Sequence, residues 1–384
     1  MDLVYFTGTR RCREPARTLE LITPLLGRFG ITRLADITGL DFLGVPVTQA
    51  VRPGAATVTV SQGKGTTQAA AMVSAAMEAI ELSCAEDAVP PPVLTCPAAD
   101  LELGYPIEDL DMGPGSLVTD CTVLDWIPAR GALSGSPYLV PRDLVWMGQR
   151  TCGDWRIAMI SGTSNGLAAG NSRAEAVAHA CYELAERDHS TALAATPARH
   201  RRFVDLDTVP GGWCADLIAR IRAAGGWLAA AAAPGRSGLA CFAAWLWTPD
   251  AAGALAAGAG THADPLIALS RAVTEAAQSR LTLIAGARDD ISPRLYLPSG
   301  TPGQPPGLEG QADPWPDLAS GSGRPCRTDG GEATLAAGRL RQATGAEPMV
   351  VDLAGQAELA VVKVLCPGLD FDRAHVPWQP VAAA

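Results

Sequence analysis

"SNGLAAGNSRAEAVAHACYELAERD", residues 164–188, decides how this chain is read. A turn rich in Gly and Asn gives way to an Ala-rich helix over 172–190. On that helix Glu183 and Glu186 share one face, with Arg187 and Asp188 directly after them. Residues three apart on a helix are neighbours, so two like charges stand side by side. Taken alone, such a pair reads as a solvated face carrying salt bridges.

The arrangement recurs. "ATVTVSQGKG" (56–65) alternates like a strand and leads into "TTQAAAMVSAAMEAIELSCAED" (66–87), a helix that carries Glu78 and Glu81. "GLACFAAWLWTP" (238–249) reads as a strand and "GAGTHADP" (258–265) as a turn. "LIALSRAVTEAAQSRLTLIAGARDD" (266–290) then reads as a helix with Glu275 and Gln278 at the same step. For the middle unit the expected strand is "WRIAMISGTS" (155–164) and the turn "NGLAAGN" (165–171). Gly65 to Glu78 and Gly170 to Glu183 are both thirteen residues, which makes the units a weak internal repeat.

The helices are otherwise rich in Ala, Val, Met and Leu, so they are expected to be largely buried, where charges need partners. Two unit charges about 4 Å apart repel by about 4 kcal/mol at an effective dielectric near 20. Several converging pairs therefore call for a strong cation. Magnesium takes carboxylate oxygens and completes its shell with phosphate oxygens and water. The pattern predicts a nucleoside triphosphate held through magnesium between helices.

The chain as a whole suits that expectation. Its 384 residues are 48% hydrophobic and 18% charged, enough for a large core. A net charge of −10 argues against a nucleic-acid surface. No signal peptide or stretch of membrane-spanning length is present, so no membrane partner and a cytoplasmic location are expected. Ten scattered cysteines without a C-x-x-C pair read as reduced thiols. Residues 1–50 read as a short strand, a helix over 15–30 ended by Gly30, and a strand over 44–53. The Pro-rich "VPPPVLTCP" (89–97) ends the first unit, and 298–331, rich in Pro, Gly, Ser and Asp, reads as a long mobile loop. Residues 348–370 supply two closing strands before a tail over 367–384. The expected class is α/β (α+β), one domain over 1–384, sheets packed with helices and the nucleotide between the helices.

Two familiar nucleotide motifs are excluded. In "GKGTT" (63–67) Lys64 precedes Gly65 rather than Ser or Thr, and the glycine a Walker A needs upstream is Val58. "GAGTHA" (258–263) fits a loose dinucleotide pattern but lacks the acidic residue about twenty positions on.

The stretches 63–81, 164–188 and 258–290 together resemble the three nucleotide-binding signatures of the YcaO family, in its order and spacing, within a likeness spanning roughly 5–370. The resemblance implies an ATP and Mg2+ site in a YcaO-type fold. By position it nominates Ser74, Glu78 and Glu81; Asn171, Glu175, His179, Glu183, Glu186 and Arg187; and Arg271, Glu275, Gln278 and Arg280. "GTRRCREPART" (8–18), similar to the family's nucleotide-touching segment, adds Arg11 and Thr18. Glu78, Glu81, Glu183, Glu186 and Glu275 are the implied metal ligands, and Glu183, Glu186, Arg187 and Arg280 the implied catalytic set. His179 stands where Gln is common; it either faces adenine or ribose or is a satisfied core histidine.

In YcaO enzymes a nucleophile adds to a backbone amide, the oxyanion takes the γ-phosphoryl of ATP, and phosphate departs. The amide needs this because nitrogen donates into its carbonyl. A Cys, Ser or Thr side chain of the substrate as nucleophile gives an azoline; external sulfide gives a thioamide. The end "VPWQPVAAA" (376–384) lacks the Pro-x-Pro-x-Pro tail of azoline formers, and "GTRR", "ITRLADITGLDFLGVPV" and "GARDD" resemble the TfuA-associated, thioamide-forming subgroup. The implied partners are a precursor peptide, a TfuA-like sulfur-delivery protein, and a second copy in a homodimer. An azoline cyclodehydratase and a non-catalytic accessory scaffold are the alternatives.

Overall fold

The computed structural model describes residues 1–113, 115–148, 160, 162–249, 255–291, 311–319, 326–356 and 359–371. A hairpin of β1 (Val4–Phe6) and β2 (Thr9–Arg11) leads into α1 (Pro15–Ile22). β3 (Arg33–Asp36), β4 (Val47–Val51) and β5 (Val60–Lys64) precede α2 (Gln68–Asp87). β6 (Leu94–Pro97), β7 (Val123–Gly131), β8 (Pro137–Pro141) and β9 (Leu167–Gly170) precede α3 (Arg173–Ala195). β10 (Arg202–Asp205), α4 (Trp213–Ala223), β11 (Trp227–Ala232), β12 (Ala240–Trp247) and β13 (Ala256–His262) lead to α5 (Pro265–Ala285). β14 (Gln311–Pro314), α6 (Trp315–Ala319), α7 (Asp329–Thr344) and the hairpin of β15 (Met349–Gln356) and β16 (Leu359–Leu365) follow.

Three sheets result, in the orders β3-β4-β5, β6-β7-β15-β16-β9 (with β8 on β7) and β13-β12-β11-β10-β14. Pairing is antiparallel except between β10 and β14. β5, β9 and β13 are thus each an edge strand, and each is followed in sequence by one of the Glu-bearing helices. The apolar core falls into separate clusters, the largest around α2 and β7, others around α4 and α5 and between α3, α7 and β16.

Helix and edge strand pack almost backbone to backbone. A Cβ added at Gly63 of β5 would lie 2.0 Å from the Ala75 nitrogen; at Gly170 of β9, 2.6 Å from Ala176 N; at Gly258 and Gly260 of β13, 2.4 Å from Ala276 N and 2.2 Å from Ala268 O. Glycine on the strand facing alanine on the helix is what permits this approach. The helices are started by side-chain caps: Thr67 accepts from Ala70 N, Ser172 from Glu175 N, and Asp264 from Leu266 N ahead of Pro265.

Several expectations need correction. The middle unit's strand is Leu167–Gly170, inside the stretch read as a turn, and most of "WRIAMISGTS" lies outside the described residues. "GAGTHADP" begins inside β13. Both strands are poor in the β-branched residues that advertise strands, Thr261 being the one they contain, because Ala and Gly are needed against the helix. The first helix is α-helical only to Ile22 and continues as a 3-10 turn over Thr23–Phe29, ended at Gly30 with φ 69°. Within 298–331 the described residues include β14 and α6, with Trp315 buried and stacked on Phe242 at 5.4 Å. Residues 298–310, 320–325 and the tail beyond 371 lie outside the described residues. No helix among the described residues is long and apolar enough to cross a membrane. Their nine cysteines are free thiols.

Candidate nucleotide and metal site

A cavity of about 870 Å³ is lined by the three Glu-bearing helices, the ends of their strands and the N-terminal hairpin. The two members of each helical pair have different surroundings. The second member secures the edge of the next unit. Glu81 of α2 accepts the backbone N–H of Ala169 on β9 at 2.6 Å, and Glu186 of α3 accepts that of Thr261 on β13 at 3.0 Å. Gln278 of α5 donates to the carbonyl of Gln62 on β5 at 3.4 Å. Edge strands carry unpaired backbone groups, and here each is satisfied by a side chain of the preceding unit, closing a ring of three. The first members, Glu78, Glu183 and Glu275, are half-buried and line the cavity.

Cations stand among these acids. Arg187 lies 3.6 Å from Glu183, one helical turn away, and Lys64 at the end of β5 pairs with Glu275. Burial pushes the Glu78 carboxyl up to about 7, with Arg288 and Lys64 offsetting only part of it. Burial raises Glu81 well above the ordinary range, and it also raises Glu183 and Glu186, the latter helped by the charge of Glu275. For Glu275 burial acts upward too, but Lys64 and then Arg187 outweigh it and hold the carboxyl low.

The N-terminal segment closes one side. Glu175 is reached by the Cys12 N–H at 3.1 Å and by Arg11 at 3.8 Å; it also accepts from the Asn171 backbone and amide at 3.2 and 2.9 Å. Buried Thr18 donates its hydroxyl to the Asn171 Oδ1 at 2.7 Å, and Arg13 reaches the same oxygen at 3.3 Å. Ser74 lines the cavity one turn before Glu78, and Arg271 and His179 line it as well. Burial, then Arg11 and Arg271, keep His179 well below the usual histidine range, so its ring is neutral.

Among the nominated residues Arg280 is the exception. It is buried outside the cavity, paired to Asp41 through two hydrogen bonds of 2.9 and 3.0 Å, with its guanidinium 5.4 Å from the Phe42 ring centroid. Arg280 lies five positions after Glu275, about 140° around α5, and is held against Asp41 rather than on the cavity surface, where the sequence expectation put it. Conversely, Lys64, Arg13 and Arg288 line the cavity without having been nominated. Arg288 pairs with Asp290 at 2.5 Å beyond the end of α5. The only signal for Lys64 lay in the discarded "GKGTT".

This donor set fits a metal-bound polyphosphate. Four carboxyls raised together are short of positive charge, which a divalent cation supplies. The Nε atoms of Arg187 and Arg271, both on residues that line the cavity, are buried with no hydrogen-bond partner among the described residues, as donors meant for an anion are. Among the described residues no three His, Cys, Asp or Glu side chains are grouped closely enough to hold a metal alone. Magnesium does not require that, since phosphates and water complete its shell.

Comparison with known proteins agrees. The family model for YcaO cyclodehydratases, described as ATP- and Mg2+-binding, matches residues 62–370. An uncharacterized protein of Mycobacterium tuberculosis is 38% identical over 402 residues, covering 98% of this chain and 86% of its own. An uncharacterized protein from the tfuA 3′ region of Rhizobium leguminosarum bv. trifolii is 36% identical, covering 74% of this chain and 70% of its own. The fold matches that of YcaO from Methanopyrus kandleri bound with AMPPCP and Mg2+, with a TM-score of 0.70, 22% identity and 99% of both chains covered. It also matches a heterocyclase in complex with substrate and cofactor, with a TM-score of 0.78 and 22% identity over 97% of this chain; the chain spans 55% of that protein's length.

Proposed function

The chain belongs to the YcaO family of ATP- and Mg2+-binding cyclodehydratases, and from that premise we propose that it activates a peptide backbone amide by phosphorylating its oxygen. Sulfide adds to the carbonyl carbon, the resulting oxyanion takes the γ-phosphoryl of ATP, and the oxygen leaves as phosphate, so that a thioamide remains in a ribosomally synthesised peptide. The observation that carries the reading is the set of carboxyls that three helices bring to one cavity, those of α2 and α3 raised together, beside the Nε atoms of Arg187 and Arg271, which have no partner among the described residues. Bound Mg2+ would neutralise the phosphates and polarise the transferred group.

Glu78, Glu183 and Glu275 are the primary metal ligands in this reading. Glu81 and Glu186 give one oxygen to an edge strand and keep the other for the metal shell. Arg187 and Arg271 face the phosphates and hold the charge in transit. Asn171, Glu175, Thr18, Arg11, Ser74, Gln278 and His179 shape the nucleoside end, with neutral His179 offering a ring nitrogen for base or ribose.

Support for sulfide comes from the relative in the tfuA 3′ region. A TfuA-like protein would deliver the sulfur and a precursor peptide would be the substrate, with a homodimer as the working assembly. Azoline formation on the same machinery is the second reading, favoured by the cyclodehydratase description of the family model. Incubation with a candidate precursor peptide, ATP, Mg2+ and sulfide, followed by mass spectrometry, separates them. Exchange of oxygen for sulfur supports the thioamide, and loss of one water supports the azoline. No peptide-dependent phosphate release under either condition leaves an accessory scaffold.

A further inference from the structure

Lys64 ends β5 and reaches across the cavity to Glu275 on α5. It is the one lysine among the described lining residues. The geometry points to Lys64 as a resident counter-ion, whose ammonium holds Glu275 in the ligand-free chain and gives it up to the metal when a metal nucleotide is taken in. This rests on the nucleotide and metal reading given above.

Three observations support the assignment. The root of Lys64 is fixed: Gly63 beside it is packed onto the backbone of α2, and the strand register sets Lys64 opposite Val47. Its tip is not fixed in the same way, since the two side chains of the pair are 19% and 25% exposed, on the cavity surface rather than in the core. A lysine on a rooted strand with a flexible four-carbon stem is suited to exchanging one anion for another, where the rigid fork of an arginine is not. The pair also joins the first repeated unit to the third, the same span that Gln278 closes through Gln62. In the ligand-free state the ammonium thus holds together the two walls that a shared cation would hold in the loaded one. Once released, Lys64 remains within the same cavity as Arg187 and Arg271, with three donors for phosphate oxygens.

If Lys64 competes with metal for Glu275, removing it should expose the site to metal without nucleotide. Full-length wild type, Lys64→Met and Lys64→Arg are titrated with MgCl2 alone by calorimetry, and melting temperatures are read with and without the metal. In Lys64→Met, nucleotide-free Mg2+ affinity should tighten by about tenfold. The same variant should melt lower than wild type without metal and gain more on its addition, while Lys64→Arg keeps the weak wild-type response. Equal Mg2+ affinity in wild type and Lys64→Met overturns the counter-ion role. Lys64→Gln, which can still hydrogen-bond Glu275 without charge, carries the same comparison should Lys64→Met not fold. Mg2+-dependent uptake of a non-hydrolysable ATP analogue by wild type is measured in parallel: its absence sinks the nucleotide reading itself, whereas its presence with equal Mg2+-only affinities sinks only the role of Lys64.

Discussion

Glu186 on α3 accepts the backbone N–H of Thr261 on β13 at 3.0 Å, so an acid expected to serve a metal also seals the edge of a sheet. Glu186 is 4% exposed, and truncating it to Ala leaves a buried N–H without its acceptor. The expected cost is about 1–3 kcal/mol in urea unfolding. Glu186→Gln keeps an acceptor oxygen and should lose much less. Equal losses in the two variants would mean that the bond to Thr261 contributes nothing.

Glu183 has a different task. It lines the cavity beside Arg187, and where Glu186 holds the edge strand of the next unit, Glu183 accepts a backbone N–H from Gly166 of its own unit, just before β9. Glu183→Gln should therefore keep the wild-type circular dichroism and melting temperature while losing Mg2+-dependent nucleotide uptake and product formation. Full activity in this variant would remove the metal assignment.

Glu78 sets a pH dependence. Its carboxyl moves from an ordinary 4.5 to about 7 in the ligand-free fold. A carboxyl raised on folding favours the fold while protonated, a contribution fully present below 4.5 and lost as pH rises through 7. A metal ligand must be ionised. Uptake of Mg2+ with nucleotide should therefore release protons and strengthen as pH rises across that window. Calorimetry in buffers of different ionisation heat reads the proton count; no proton release near pH 6 would contradict the shift.

Gly63→Ala places a methyl 2.0 Å from the backbone of Ala75. No rotamer relieves a clash with backbone, so helix and strand must separate, at about 3 kcal/mol or more. Gly27→Ala, with nothing within 4 Å of the new Cβ and no positive φ, is the control and should stay within about 0.5 kcal/mol of wild type.

Arg280→Ala should destabilise by about 3–5 kcal/mol, because Asp41 is left as a buried charge without its guanidinium. At temperatures where the variant is folded, its affinity for a Mg2+–nucleotide complex should equal that of wild type. Weakened nucleotide binding there would return Arg280 to the site.

The helices and their acids were legible because helical period and charge pairing are local signals, and the N-caps lie where the Gly-rich stretches end. The edge strands were not. Leu167–Gly170 and Ala256–His262 are mostly Ala and Gly, which fit against a helix and dilute the β-branched pattern that marks a strand. The place of Arg280 was not legible for a related reason: it lies two positions beyond Gln278, and only the packing of α5 reveals that the step turns it towards Asp41. Lys64 carries no local signal of a site, since a lysine between two glycines, followed by neither Ser nor Thr, fits no phosphate loop.

The joint made by Gln278 runs opposite to the other two: an amide gives a hydrogen to Gln62, where Glu81 and Glu186 receive one. Three ionised acids could not complete the circle, since the last would set a carboxylate against the Gln62 carbonyl oxygen with no hydrogen to give. The amide at 278 is therefore the clasp of the necklace, and the place where exchanging one isosteric atom would open that joint, leaving the first and last units held by Lys64 with Glu275 and by Thr282 with Gln62.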